Sequence, residues 1–162
     1  MVRSEILAGI DLFRGLSQEA LEAIGTMCQE ERFAARTVFF ALDRPAEHVH
    51  VLLEGTLGLT IQPLPTQPPL TVTVLDRPGQ LFGWSAIVGP SNYTATAQAI
   101  TDVRAIVMDG HALMSYLEGH PTVGVVVLGR LAQLISQRMS ELRRLLAETI
   151  RDCDPPEVQL EN

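Results

Sequence analysis

The stretch HVHVLLEGTLGLTI, residues 48–61, decides the fold. Val49, Val51 and Leu53 alternate with His48, His50 and Leu52, which is the two-residue period of a strand. Glu54-Gly55 supplies a turn, and from Thr56 the alternation resumes with Leu57, Leu59 and Ile61 on one face. Upstream, strand-like patterning begins near Arg32 and runs through Phe33 and Val38-Phe39-Phe40 to a break at Asp43-Arg44-Pro45. Downstream, a Pro-rich loop over residues 62–69 leads to a strand at Thr71–Leu75 that ends in Asp76-Arg77-Pro78-Gly79. After Gln80-Leu81-Phe82-Gly83 there is room for one helical turn, Ser85 to Val88, before Tyr93–Ala99 and Val103–Met108 read as strands. Short strands about ten residues apart, without a βαβ rhythm, predict a mainly β fold: an antiparallel jelly roll with flanking helices.

Helices bracket the strands. Ser17 is placed to cap a helix over 18–28 in which Leu21, Ile24 and Cys28 recur at helical spacing, with Leu12, Phe13 and Leu16 packed under it. Asp109 can cap a second helix through Leu113 and Leu117 to Gly119, and Pro121 opens a third. That third helix, 121–150, carries Leu128, Leu131, Ile135, Met139, Leu142 and Leu146 in steps of three and four. Part of this stripe is expected to cover the sheet and the outer part to pair with a second copy, giving a homodimer. The domain is therefore drawn over 1–150, and the polar segment 151–162 is read as a flexible tail.

The 162 residues carry a formal charge of −7 and are 46% hydrophobic, values suited to a globular domain. All 12 basic residues are Arg, so lysine-dependent nucleophiles and the P-loop lysine are excluded. An acidic chain with scattered Arg lacks the footprint of direct nucleic-acid binding, and no apolar run suggests a signal or a membrane span. The expectation is a cytoplasmic protein. Cys28 and Cys153 stand far apart and read as idle thiols, not as a disulfide or metal pair. His48 and His50 share a strand face, as in cupin-type metal sites, but a third ligand is missing because His111 and His120 fall near the helices. They are read as solvent-facing, and no metal or cofactor is expected. Glu30-Glu31 reads as a solvated patch at a helix end, and Ser85 lacks the second Gly and the His of a nucleophile elbow, so no enzyme constellation emerges.

The order of these elements resembles the cyclic nucleotide-binding domain, specifically the sensory half of Crp/Fnr-type regulators. The strings that carry the likeness are Leu12-Phe13-Arg14-Gly15-Leu16-Ser17, Thr37-Val38-Phe39-Phe40, Glu54-Gly55-Thr56-Leu57, Pro78-Gly79-Gln80-Leu81-Phe82-Gly83 and Thr94-Ala95-Thr96-Ala97-Gln98-Ala99. The resemblance implies a phosphate-binding cassette formed by Phe82, Gly83, Trp84, Ser85 and Ala86 with Tyr93, Thr94, Ala95 and Thr96, closed by the long helix around Leu128 to Gln137. In the family a Glu accepts from the ribose hydroxyl and an Arg grips the cyclic phosphate. Here Trp84 and Tyr93 stand in those two places. Losing two charge-assisted contacts worth about 1.5–3 kcal/mol each weakens such a site by roughly a hundredfold to ten-thousandfold.

The resemblance also implies that a DNA-reading head would follow the long helix, and the twelve residues after Ile150 have no room for one. The function expected is a non-catalytic sensory module with a small-molecule effector and an unidentified protein partner. The competing expectations are a ligand-free dimeric scaffold, and a weak or non-standard binder of cyclic nucleotides.

Overall fold

The structure is a computed structural model that describes residues 1–62, 66, 68–89 and 91–153, with α4 side chains described up to residue 148. Expectations for 63–65, 67 and 90, and for the tail from 154 onward, lie outside the described residues, as does the Cys153 side chain. Two antiparallel four-stranded sheets form the body, with helices before and after them, as the alternation predicts. The first sheet takes β1 (Cys28–Phe33), β8 (Val103–Asp109), β3 (His48–Glu54) and β6 (Leu81–Phe82) in that order. The second takes β2 (Val38–Phe40), β7 (Thr96–Ala99), β4 (Leu57–Ile61) and β5 (Leu70–Leu75).

Two apolar cores lie on either side of the first sheet. Between the sheets, Phe40, Leu52, Leu57, Leu75, Phe82 and Ala105 pack together. On the other face, Val49, Val51, Ile106 and Met108 meet α1 (Ser4–Ala8), α2 (Gln18–Thr26), α3 (Gly110–Gly119) and α4 (Pro121–Cys153). The expected support from Leu12 and Phe13 is present, both being almost fully buried there. Strand β3 is thus covered on both faces, and its alternation sends Val49 and Val51 to the helices and His50 and Leu52 to the inter-sheet core.

This double cover corrects the reading of one of the two histidines. His48 is exposed, but His50 is 5% exposed and its ring stacks on Phe82 at 4.9 Å. The amphipathic alternation of an outer strand was the wrong template for a strand walled on both sides.

Caps fall where the sequence puts them. Ser17 Oγ accepts from the Ala20 N–H at 3.2 Å, and an Asp109 carboxylate oxygen accepts from the Ala112 N–H at 2.9 Å. The α2 helix stops at Thr26, however, and Cys28 opens β1, paired with Met108. Glu30 and Glu31 consequently sit on a strand, not at a helix end; Arg104 donates to Glu30 at 2.6 Å and also to Glu54. Cys28 donates to the Ile24 carbonyl at 3.2 Å, and burial pushes its thiol up to about 12, so it is inert.

The long helix runs three residues past its expected end. Leu131 is buried against its own domain and leaves the outward stripe. Leu128 and Ile135 are likewise half-buried against that core, whereas Met139 and Leu146 are exposed and, with the half-buried Leu142 between them, form an outer seam in 3-4 spacing.

Candidate functional site

The cassette is built where β6 ends. Gly83 adopts φ +77°, and a Cβ at that position would lie 3.0 Å from both the His48 carbonyl oxygen and the Phe40 ring, so only glycine lets the chain turn here. The short 3-10 turn η1 (Trp84–Ala86) follows, with the Ala86 N–H donating to the Gly83 carbonyl at 3.2 Å. Helix α3 begins directly against this turn: a Cβ on Gly110 would come within 2.4 Å of the Ala86 carbonyl oxygen.

Six of the nine predicted cassette residues meet around one cavity: Gly83, Trp84, Ser85, Tyr93, Thr94 and Ala95. Phe40 and Leu59 complete the lining, and the cavity volume is about 40 Å³. The other three residues do different work. Phe82 is fully buried under His50, Ala86 packs against the inter-sheet core, and the Thr96 hydroxyl accepts from the Leu42 N–H at 3.0 Å. The expected closure by Leu128 to Gln137 is not found, for none of those residues lines the cavity. The helix reaches the cassette one position later, where the Arg138 guanidinium carbon lies 5.4 Å from the centre of the Trp84 ring.

Tyr93 forms part of the cavity wall. It is 5% exposed, and its ring lies nearly parallel to Phe40, 11° apart with centroids at 3.8 Å. Its hydroxyl donates to the His48 carbonyl at 2.8 Å and accepts from the His48 N–H at 3.0 Å, saturating the backbone at the start of β3. Burial raises its phenol above the ordinary value, so it remains a neutral donor and acceptor at physiological pH. Phe40 and Leu59 are the lining residues that sequence reasoning missed. The signal was the aromatic pair Phe39-Phe40, whose partner across the cassette could not be assigned without the fold.

With this geometry in view, comparison places the chain. The sequence profile of the cyclic nucleotide-binding domain matches residues 30–120. The chain belongs to the cyclic nucleotide-binding domain family. A curated relative, the CRP-like cAMP-activated global transcriptional regulator of Mycobacterium tuberculosis, is 28% identical over 142 residues, which is 88% of this chain and 62% of that protein. The chain therefore spans about six-tenths of that relative's length.

Among solved structures, a Geobacter metallireducens protein assigned to cyclic nucleotide binding superposes with a TM-score of 0.76 at 28% identity, covering 86% of this chain and 99% of the other. A cyclic nucleotide-binding domain from Methylobacillus flagellatus shares the fold with a TM-score of 0.75 at 22% identity, covering 96% and 84%. In this chain two aromatic side chains, Trp84 and Tyr93, border the cassette cavity. Among the described residues no three metal-ligating side chains come together, and no helix is long and apolar enough to cross a membrane.

Proposed function

We propose that this chain is a regulatory domain of the cyclic nucleotide-binding family that works as a dimerising interaction module, its cassette filled by its own aromatic side chains. The observation that carries this reading is the small volume, about 40 Å³, of the cavity lined by the stacked Tyr93 and Phe40. Sites for small molecules enclose on the order of 300–1,000 Å³. An effector at the cassette would have to expel the Tyr93 ring and break both of its hydrogen bonds to His48. The sensory reading of the cassette is therefore less well supported than the scaffold reading. The absence of Glu and Arg at positions 84 and 93 points the same way.

Calorimetric titration with cyclic AMP and cyclic GMP into the millimolar range tests this directly. The expected result is no saturable heat and no rise in melting temperature. Micromolar binding that displaces Tyr93 would overturn the reading.

Output is assigned to the outer seam of α4. Met139 is 49% exposed and Leu146 62% exposed, and residues in 3-4 spacing on one helix face are suited to pairing with a copy of the same helix. Sedimentation of the full chain should give a dimer. Met139→Asp combined with Leu146→Asp should give a folded monomer whose melting no longer depends on protein concentration, since neither side chain belongs to the domain's own core. A wild-type chain that sediments as a monomer at micromolar concentration would remove the dimer from the proposal.

A further inference from the structure

Four of the twelve arginines, Arg14, Arg77, Arg130 and Arg138, gather along one side of α4 in a chain whose net charge is −7. Three of them, Arg14, Arg77 and Arg138, line a cavity of about 520 Å³ between α4, the segment after α1 and the turn at 76–80. Asp11, Asp76 and Glu141 line it too. Asp11 is bound to Arg14 at 2.6 Å, whereas Asp76 is only 4.0 Å from the exposed Arg77 and leaves that guanidinium open to a better acceptor.

Arg138 is in a different position. Its side chain is half-buried, and its Nη1 is shut off from solvent with no hydrogen-bond partner among the described residues. Burial makes it less basic than an ordinary arginine and the neighbouring Arg77 charge acts in the same direction, while Glu141 opposes both. A desolvated guanidinium with an unmet N–H, near a second cation, is costly to hold. An anionic group in the groove between the two would supply the opposite charge and, once the Arg138 side chain turns to meet it, the missing acceptor, in the planar fork that guanidinium offers to carboxylate and phosphate oxygens. The cavity volume is within the range of small-molecule sites, unlike that of the cassette.

From this geometry we infer that the groove between α4 and the turn at 76–80 is a binding site for a small phosphate- or carboxylate-bearing anion, held by Arg138 and Arg77 and separate from the cassette. Occupancy has a route to the rest of the domain. Arg138 packs over Trp84, which opens the cassette turn, and α3 begins on that turn.

Trp84 is the chain's single tryptophan, so its emission reports on this guanidinium. The experiment titrates the full chain with inorganic pyrophosphate and, separately, with citrate, at an ionic strength held constant with sodium chloride. A saturable change in Trp84 emission, with matching calorimetric heat, is expected from at least one anion. Pyrophosphate alone assigns a phosphate ligand, and citrate alone a carboxylate ligand.

Arg138→Gln should weaken that binding by about tenfold or more, as loss of one charge-assisted fork requires. Arg138→Lys, which keeps the charge and loses the fork, should fall between, and Arg36→Gln, outside the groove, should match the wild type. No saturable response to either anion, or equal binding by the wild type and both Arg138 variants, overturns the inference. Failure of the cassette reading would look different: a response to cyclic AMP that survives Arg138→Gln.

Discussion

Lowering the pH from 7 to 5 will cost the folded domain about 2 kcal/mol through His50 alone. The ring is 5% exposed, stacked on Phe82 and flanked by Phe39 at 5.7 Å and Phe40 at 5.8 Å. Its Nδ1 has no hydrogen-bond partner among the described residues. Burial first, and the nearby His48 second, push its pKa down from 6.5 to about 3. A folded pKa below the unfolded one means that the unfolded chain takes up the proton first. The neutral ring's contribution is therefore complete above pH 6.5 and is lost progressively as the pH falls toward 3. Urea denaturation of the wild type and of His50→Leu at pH 7 and pH 5 isolates the effect, because other groups titrate equally in both proteins. The expected result is a wild-type loss about 2 kcal/mol larger than that of the variant. Equal losses would mean that His50 reaches water in the folded state.

Tyr93→Ala should destabilise the domain by about 4 kcal/mol, within the range for removing a buried aromatic ring. The ring's face is covered by Phe40, so truncation leaves a void beside an existing cavity. It also removes both hydrogen bonds to His48 and leaves a backbone N–H and C=O at the head of β3 without them. Tyr93→Phe separates the two contributions: it keeps the stack and should cost about 1–2 kcal/mol for the lost hydroxyl. Denaturant midpoints with a common slope measure both variants. A Tyr93→Ala protein within 1 kcal/mol of the wild type would show that the ring is not seated in the core, and would weaken the case for a filled cassette with it.

Much of the architecture could be read from local pattern. The alternations in 48–61, the turns at Glu54-Gly55 and Asp76 to Gly79, and the caps at Ser17 and Asp109 are short-range signals, and each reappears in the structure. Misreadings occurred where tertiary cover decides. His50 looks polar-faced until the second sheet is placed over it, and Leu131 looks like seam until the helix is laid on its own core. Cys28 continued the helical spacing of Leu21 and Ile24, but pairing with β8 claimed it for a strand. At the site, the sequence pointed to the two unusual residues, Trp84 and Tyr93, and could not say that they part company. Tyr93 turns inward onto Phe40, whereas Trp84 faces the long helix and Arg138.

Strand β3 is a party wall between two rooms, and this limits how the chain can change there. With Val49 and Val51 facing the helices and His50 and Leu52 facing the second sheet, shifting its frame by one residue would swap the furnishings of both rooms at once. A single inserted or deleted residue between 49 and 52 has no tolerable side to fall on. Length changes in this part of the molecule must be absorbed outside these four residues, and the register of β3 with β8 already slips at the strand's end, between Leu52 and Glu54.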